Sequence, residues 1–72
     1  MTRVLFVEGR DEALLRGFAS RLGTGWRLLA RPEQGLFLLE ATDAGEALER
    51  EAASLAGARA WAFDVVDEDP RG

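Results

Sequence analysis

An α+β fold with the element order β-α-β-β-α-β is what this chain predicts, and three observations carry it. Two continuous apolar runs, Val4-Leu5-Phe6-Val7 and Leu36-Phe37-Leu38-Leu39, lie between turn residues or charges and read as strands buried on both faces. Each run is followed by a stretch with apolar residues at helical spacing. Shorter segments, one before the second run and one after the second helix, complete the set with two further strands.

Taken in order, Thr2 to Glu8 is the first strand and Gly9 breaks it. Asp11 stands where an N-cap is wanted, ahead of a helix with Leu14, Leu15, Phe18 and Leu22 on one side and Glu12 four residues before Arg16. Gly23 is placed as its stop, and Gly17 inside it suggests a close approach of helix to sheet. Trp26 to Arg31 is a half-buried strand, joined through the Pro32-Glu33-Gln34-Gly35 turn to a strand from Leu36 to Ala41. Asp43-Ala44-Gly45-Glu46 has the form of a capping box, and the helix after it turns Ala47, Leu48, Ala52 and Leu55 inward and ends at Gly57. Ala60 to Val66 is the last strand. Two right-handed crossovers fold this order into a four-stranded antiparallel sheet with both helices on one face, the ferredoxin-like arrangement, in which the first and third strands are central. Residues 1–66 form the single domain, and residues 67–72, Asp-Glu-Asp-Pro-Arg-Gly, an acidic C-terminal tail.

At 72 residues the chain can bury only roughly 60% of its unfolded surface, so it is marginally stable without help. It has no cysteine and no histidine, which removes disulfides, thiolate or imidazole metal sites and the usual general base. Oligomerisation is the remaining way to add buried area. No cofactor is implied. There is no apolar run of about 18 residues and no basic-then-apolar leader, so neither a membrane span nor a secretory signal is expected, and a cytoplasmic location is. The net charge is −4 and all nine cations are arginine, a balance that argues against nucleic-acid binding, where a basic face is expected. A chain without asparagine or cysteine and with one Met and one Gln also fits a thermostable protein or a GC-rich source.

Side chains alternate across a strand, so each strand divides into a helix-facing set and an outward set according to where its charges are tolerated. Glu8 shares a parity with Val4 and Phe6, Arg27 and Arg31 with Leu29, Glu40 with Leu36 and Leu38, and Asp64 with Ala62 and Val66. The complementary set, Leu5, Val7, Trp26, Leu28, Phe37, Leu39, Trp61, Phe63 and Val65, is free of charge and is predicted to face the helices. Arg3 is the exception, placed at a strand end where it can turn to water. The uncovered face is then apolar at Val4, Phe6, Leu29, Leu36 and Leu38 and rimmed by Arg27, Arg31, Glu8, Glu40 and Asp64. Such a patch favours a homodimer with sheet facing sheet, the mixed rim charges complementing one another about a two-fold axis.

Sites for chemistry are few. Gly9-Arg10-Asp11, between the first strand and the first helix, is a candidate anion site at a helix start, against the plainer reading of a tight turn with an N-cap. Glu8, Glu40 and Asp64 are a candidate carboxylate cluster for proton transfer or a hard cation, against the reading of rim charges paired with Arg27 and Arg31. The run Asp67-Glu68-Asp69 lacks the glycine loop of a calcium site. Trp26 and Trp61 are expected in the core. Ser20, Ser54, Thr24 and Thr42 have no histidine to activate them, which argues against nucleophilic catalysis.

Two families share parts of this pattern. Leu5-Phe6-Val7-Glu8-Gly9, Leu15-Arg16-Gly17-Phe18 with Gly23, and Gln34-Gly35-Leu36-Phe37-Leu38-Leu39-Glu40 resemble the motif run of an RNA-recognition motif domain. Phe6 matches one stacking aromatic of that family, whereas Leu36 and Leu38 stand where its third-strand rings would be, which removes the base-stacking surface the resemblance implies. Val7-Glu8-Gly9-Arg10 with Leu22-Gly23-Thr24-Gly25-Trp26 is similar to acylphosphatases, which implies a phosphate-cradling loop with an arginine and a water-positioning asparagine. Here the loop between Gly9 and Thr24 is short, Leu29 falls about where that asparagine would be, and the chain has no asparagine.

The function expected is therefore a small non-catalytic association domain that pairs with itself through Val4, Phe6, Leu29, Leu36, Leu38, Arg27, Arg31 and Glu40. The alternative is a domain that binds or senses a small anionic ligand, with Glu8, Gly9, Arg10 and Asp64 as candidate ligand-binding residues. A third is a small dimeric enzyme in which Glu8, Glu40 or Asp64 moves a proton inside a cavity between two sheets.

Overall fold

The structure, a computed structural model of the chain, describes residues 2–23 and 25–66. Its elements are β1 (Thr2–Gly9), α1 (Glu12–Ala19), β2 (Trp26–Arg31), a 3-10 turn (Pro32–Gln34), β3 (Leu36–Thr42), α2 (Glu46–Ala53) and β4 (Ala58–Val65). The strands form one antiparallel sheet in the order β2-β3-β1-β4, so the ferredoxin-like βαββαβ arrangement is observed and the two apolar runs are its central strands. Each of those runs is hydrogen-bonded on both edges but covered by helices on one face only, so the expectation of burial on both faces holds for its helix-facing residues and the others lie on the open side of the sheet.

One side of the sheet carries the core. Leu5 and Val7 of β1 and Leu39 and Ala41 of β3 meet Leu15, Phe18 and Ala19 of α1 and Ala52 of α2, with Leu22, Trp26, Leu28, Phe37 and Leu48 packed around them. Helix α1 starts where its sequence says, since the Asp11 carboxylate accepts a hydrogen bond from the Leu14 amide at 3.3 Å. It ends at Ala19, before Leu22, and the chain turns through Gly23 at φ 78°.

Three expectations about local structure are corrected. The Asp43 to Glu46 capping box does not form. The Asp43 amide instead donates to the Arg3 carbonyl at 2.9 Å, which holds Asp43 at the corner of β1 and β3 and leaves Gly45, at φ 97°, as the N-cap of α2. Glu46 pairs with Arg50 one turn on, at 2.6 Å. Gly17 marks no close approach, because nothing lies within 4 Å of where its β-carbon would stand. Gly9, expected to break the first strand, is its last paired residue, opposite both Phe37 and Ala58.

The largest correction is the parity of β4. Residues opposite one another on antiparallel strands share a face, and Trp61 is paired with Phe6 and Phe63 with Val4. Trp61, Phe63 and Val65 therefore lie on the uncovered face, 42%, 47% and 41% exposed, while Ala58, Ala60 and Ala62 pack against the core. Asp64, opposite Arg3, is on the helix side rather than the rim. Its charge is met there by Arg3, whose Nη1 is 3.3 Å from Asp64 Oδ1, and Arg3 in turn holds Glu49 of α2 with Nε to Oε2 at 2.6 Å and Nη2 to Oε1 at 3.0 Å. The two charges that charge-sorting treated separately, one as an exception and one as a rim residue, answer each other across β1 and β4. Small residues on the inner side of β4 let α2 sit close over it, and large ones are displaced to the other side.

Candidate functional site: the open sheet face

Register places the uncovered face residue by residue. Arg27, Glu40, Phe6 and Trp61 form one row across β2, β3, β1 and β4. Leu29, Leu38, Glu8 and Arg59 form the next, with Arg31 and Leu36 beyond it. On the other side of the first row stand Thr42, Val4 and Phe63. Val4 is 9% exposed even with the face open, whereas Leu29 is 44% exposed.

Phe6, Trp61 and Phe63 form a stacked cluster. The Phe6 ring centroid is 5.7 Å from that of Trp61 at 21° between planes, and 5.5 Å from that of Phe63 at 27°. These separations are those of favourable offset aromatic pairs, so Phe6 makes a stacked contact with each of the other two rings. Of the expected interface residues, Val4, Phe6, Leu29, Leu36, Leu38, Arg27, Arg31 and Glu40 are all on this face. Trp61, Phe63, Val65 and Arg59 belong with them and were missed. In β4 itself alanines at 58, 60 and 62 alternate with large residues, a pattern that marks two unlike sides without saying which of them meets the helices.

The polar groups divide into paired and unpaired. Arg27 Nη2 is 3.2 Å from Glu40 Oε2 across β2 and β3. Arg3, Arg16, Arg21 and Arg50 likewise each hold a carboxylate. Arg10, Arg31 and Arg59 hold none among the described residues, and all three lie at one end of the sheet. Arg59 is opposite Glu8, Arg31 is opposite Leu36, and Arg10 Nη1 lies 4.0 Å from where a β-carbon on Gly35 would stand. At that end Glu8, Leu29, Arg31, Gln34, Leu36 and Leu38 surround a pocket of about 250 Å³.

The other candidates are less provided for. Glu8, Glu40 and Asp64 are not brought together, since Glu40 is held by Arg27 and Asp64 lies on the opposite side of the sheet. No group of three or more potential metal ligands occurs among the described residues. At Gly9-Arg10-Asp11 the first-turn amide of α1 is already capped by Asp11, and Arg10 points to the 3-10 turn rather than to the helix start. A recess of about 520 Å³ beside Arg3, Asp43, Gly45, Glu46 and Glu49 has its arginine engaged. Hydrogen bonds to Glu49 first and Asp64 second raise the Arg3 pKa above the ordinary arginine value, so it stays charged and has no role in proton transfer. Trp26 packs against the core as expected, its Nε1 donating to the Gly23 carbonyl at 3.2 Å. The acidic run Asp67-Glu68-Asp69 and Thr24 lie outside the described residues. No described helix is long and apolar enough to cross a membrane.

Comparison of the chain with known families, with curated proteins and with solved structures gives no match.

Proposed function

We infer that this domain works by association, and that its first partner is a second copy of itself packed sheet to sheet across the open face. The observation that carries this is the stacked Phe6, Trp61 and Phe63 cluster, two of its rings close to half exposed and flanked by Val4 and Val65, with Leu29 and Leu38 a second apolar patch on the same face beyond Glu40 and Glu8. An apolar surface of this kind is stabilised by removal from water, and a chain this small has little other buried area to draw on. Charge supports a second copy over an unlike partner. The face carries Arg27, Arg31 and Arg59 together with Glu8 and Glu40, so both signs needed for a seam are already present on one surface.

Light scattering over a concentration series tests the assignment. The expected mass is twice 7.9 kDa, falling toward 7.9 kDa on dilution. Phe63→Glu should remain monomeric at every concentration while keeping its far-UV circular dichroism, because a side chain 47% exposed is not needed for the fold. A wild-type chain of 7.9 kDa at millimolar concentration, or an undiminished dimer in Phe63→Glu, would overturn the proposal.

A further inference from the structure

We propose that the pocket at the end of the open face is a binding site for a small zwitterion with an apolar body, an α-amino acid with an aliphatic or aromatic side chain. Three features of its walls select that chemistry. Arg31 and Glu8 both line it, carry opposite charges, and make no ion pair with each other or with any other described residue. They stand on β2 and β1 with β3 between them, two strand spacings across and, since Arg31 is opposite Leu36 and Glu8 opposite Leu38, two residues along, or roughly 12 Å apart at the backbone. Each side chain can reach inward, but the floor between them is Leu29, Leu36 and Leu38, which satisfies neither.

A free guanidinium and a free carboxylate facing one another across leucines match a ligand that brings a carboxylate, an ammonium and hydrocarbon together. Arg31 presents a planar fork suited to two-point contact with the carboxylate. Glu8 accepts from the ammonium, and Gln34 at the mouth offers a further amide donor and acceptor. Arg59 opposite Glu8 and Arg10 beside Gly35 leave the surroundings cationic, which favours the carboxylate and disfavours a purely cationic ligand. At about 250 Å³ the pocket is smaller than the roughly 300 to 1,000 Å³ of drug-sized sites, so the ligand is of metabolite size. The exposed recess beside Arg3 does not compete, because its arginine and Glu49 already neutralise each other.

All the lining residues belong to one chain, so this site does not depend on self-association, although a facing sheet would roof it. The test is calorimetric titration of the protein, wild type and Phe63→Glu, with L-leucine and L-phenylalanine, beside 4-methylpentanoate and 3-methylbutylamine, which carry one charge each. Saturable binding of at least one amino acid is expected, about tenfold or more tighter than either singly charged probe, since each lost charge-assisted hydrogen bond is worth at least that factor. Arg31→Gln and Glu8→Gln should each weaken it by a similar factor with the circular dichroism unchanged. No saturable binding of either amino acid at millimolar concentration, equal binding of 4-methylpentanoate, or full affinity in Arg31→Gln would each overturn the site. Amino-acid binding by a chain that stays monomeric would uphold it while ending the dimer.

Discussion

Single residues in this chain are constrained more by backbone geometry than by chemistry. Gly45 sits at φ 97° and ψ 154°, a region open essentially only to glycine, and Gly45→Ala should cost about 1–3 kcal/mol in urea unfolding through backbone strain alone. Gly17 is the contrast, helical and with open space where a β-carbon would go, so Gly17→Ala should raise stability by roughly 0.5–1 kcal/mol in the same measurement. Asp11→Ala removes the α1 cap and should lose about 1 kcal/mol. The asymmetry between the two glycines was not legible, because a glycine in sequence reports permission and not the dihedral it adopts. Asp11 was legible, since its cap is made within the next three residues. Arg3 is charged at any pH below its ordinary value, and the partners that raise its pKa therefore add no pH dependence to folding near neutrality.

Among the elements, β4 decides what the open face is. Its inner side is alanine and its outer side is Trp61, Phe63 and Val65, so the same strand is narrow toward α2 and broad toward the surface. Two substitutions separate those roles. Ala60→Asp should unfold the domain, because it places a carboxylate against the core, whereas Trp61→Thr should leave the fold intact and weaken self-association. Fluorescence gives an independent reading. Trp61 emission should shift to the blue as the concentration rises through the dimer range, with Trp26 contributing a steady background, and the shift should vanish in Trp61→Phe. A concentration-independent spectrum would place the rings outside the interface.

For the whole molecule, the core's fully enclosed large side chains are only Leu15, Leu39 and Val7, so the second copy proposed above would add to stability by linkage. The melting temperature should therefore rise with protein concentration in the wild type and not in Phe63→Glu. The three rings on the sheet also reopen base stacking, which the leucines at 36 and 38 had argued against. The net charge of −4, with Glu8 and Glu40 on that same surface, opposes a phosphate backbone. Labelled oligo-dT should show no binding by anisotropy at moderate salt.

Strand and helix order, the central place of the two apolar runs and the α1 cap all follow from the sequence alone, because each depends on neighbours in the chain or on hydrophobic period. Which face of β4 turns outward depends on register with β1 and on how near α2 comes to the sheet. Arg3, Asp64 and Glu49, far apart in sequence, neutralise one another in the fold and so admit charge on the helix side. That contact frees Trp61 and Phe63 to join Phe6, and only the tertiary structure could decide it.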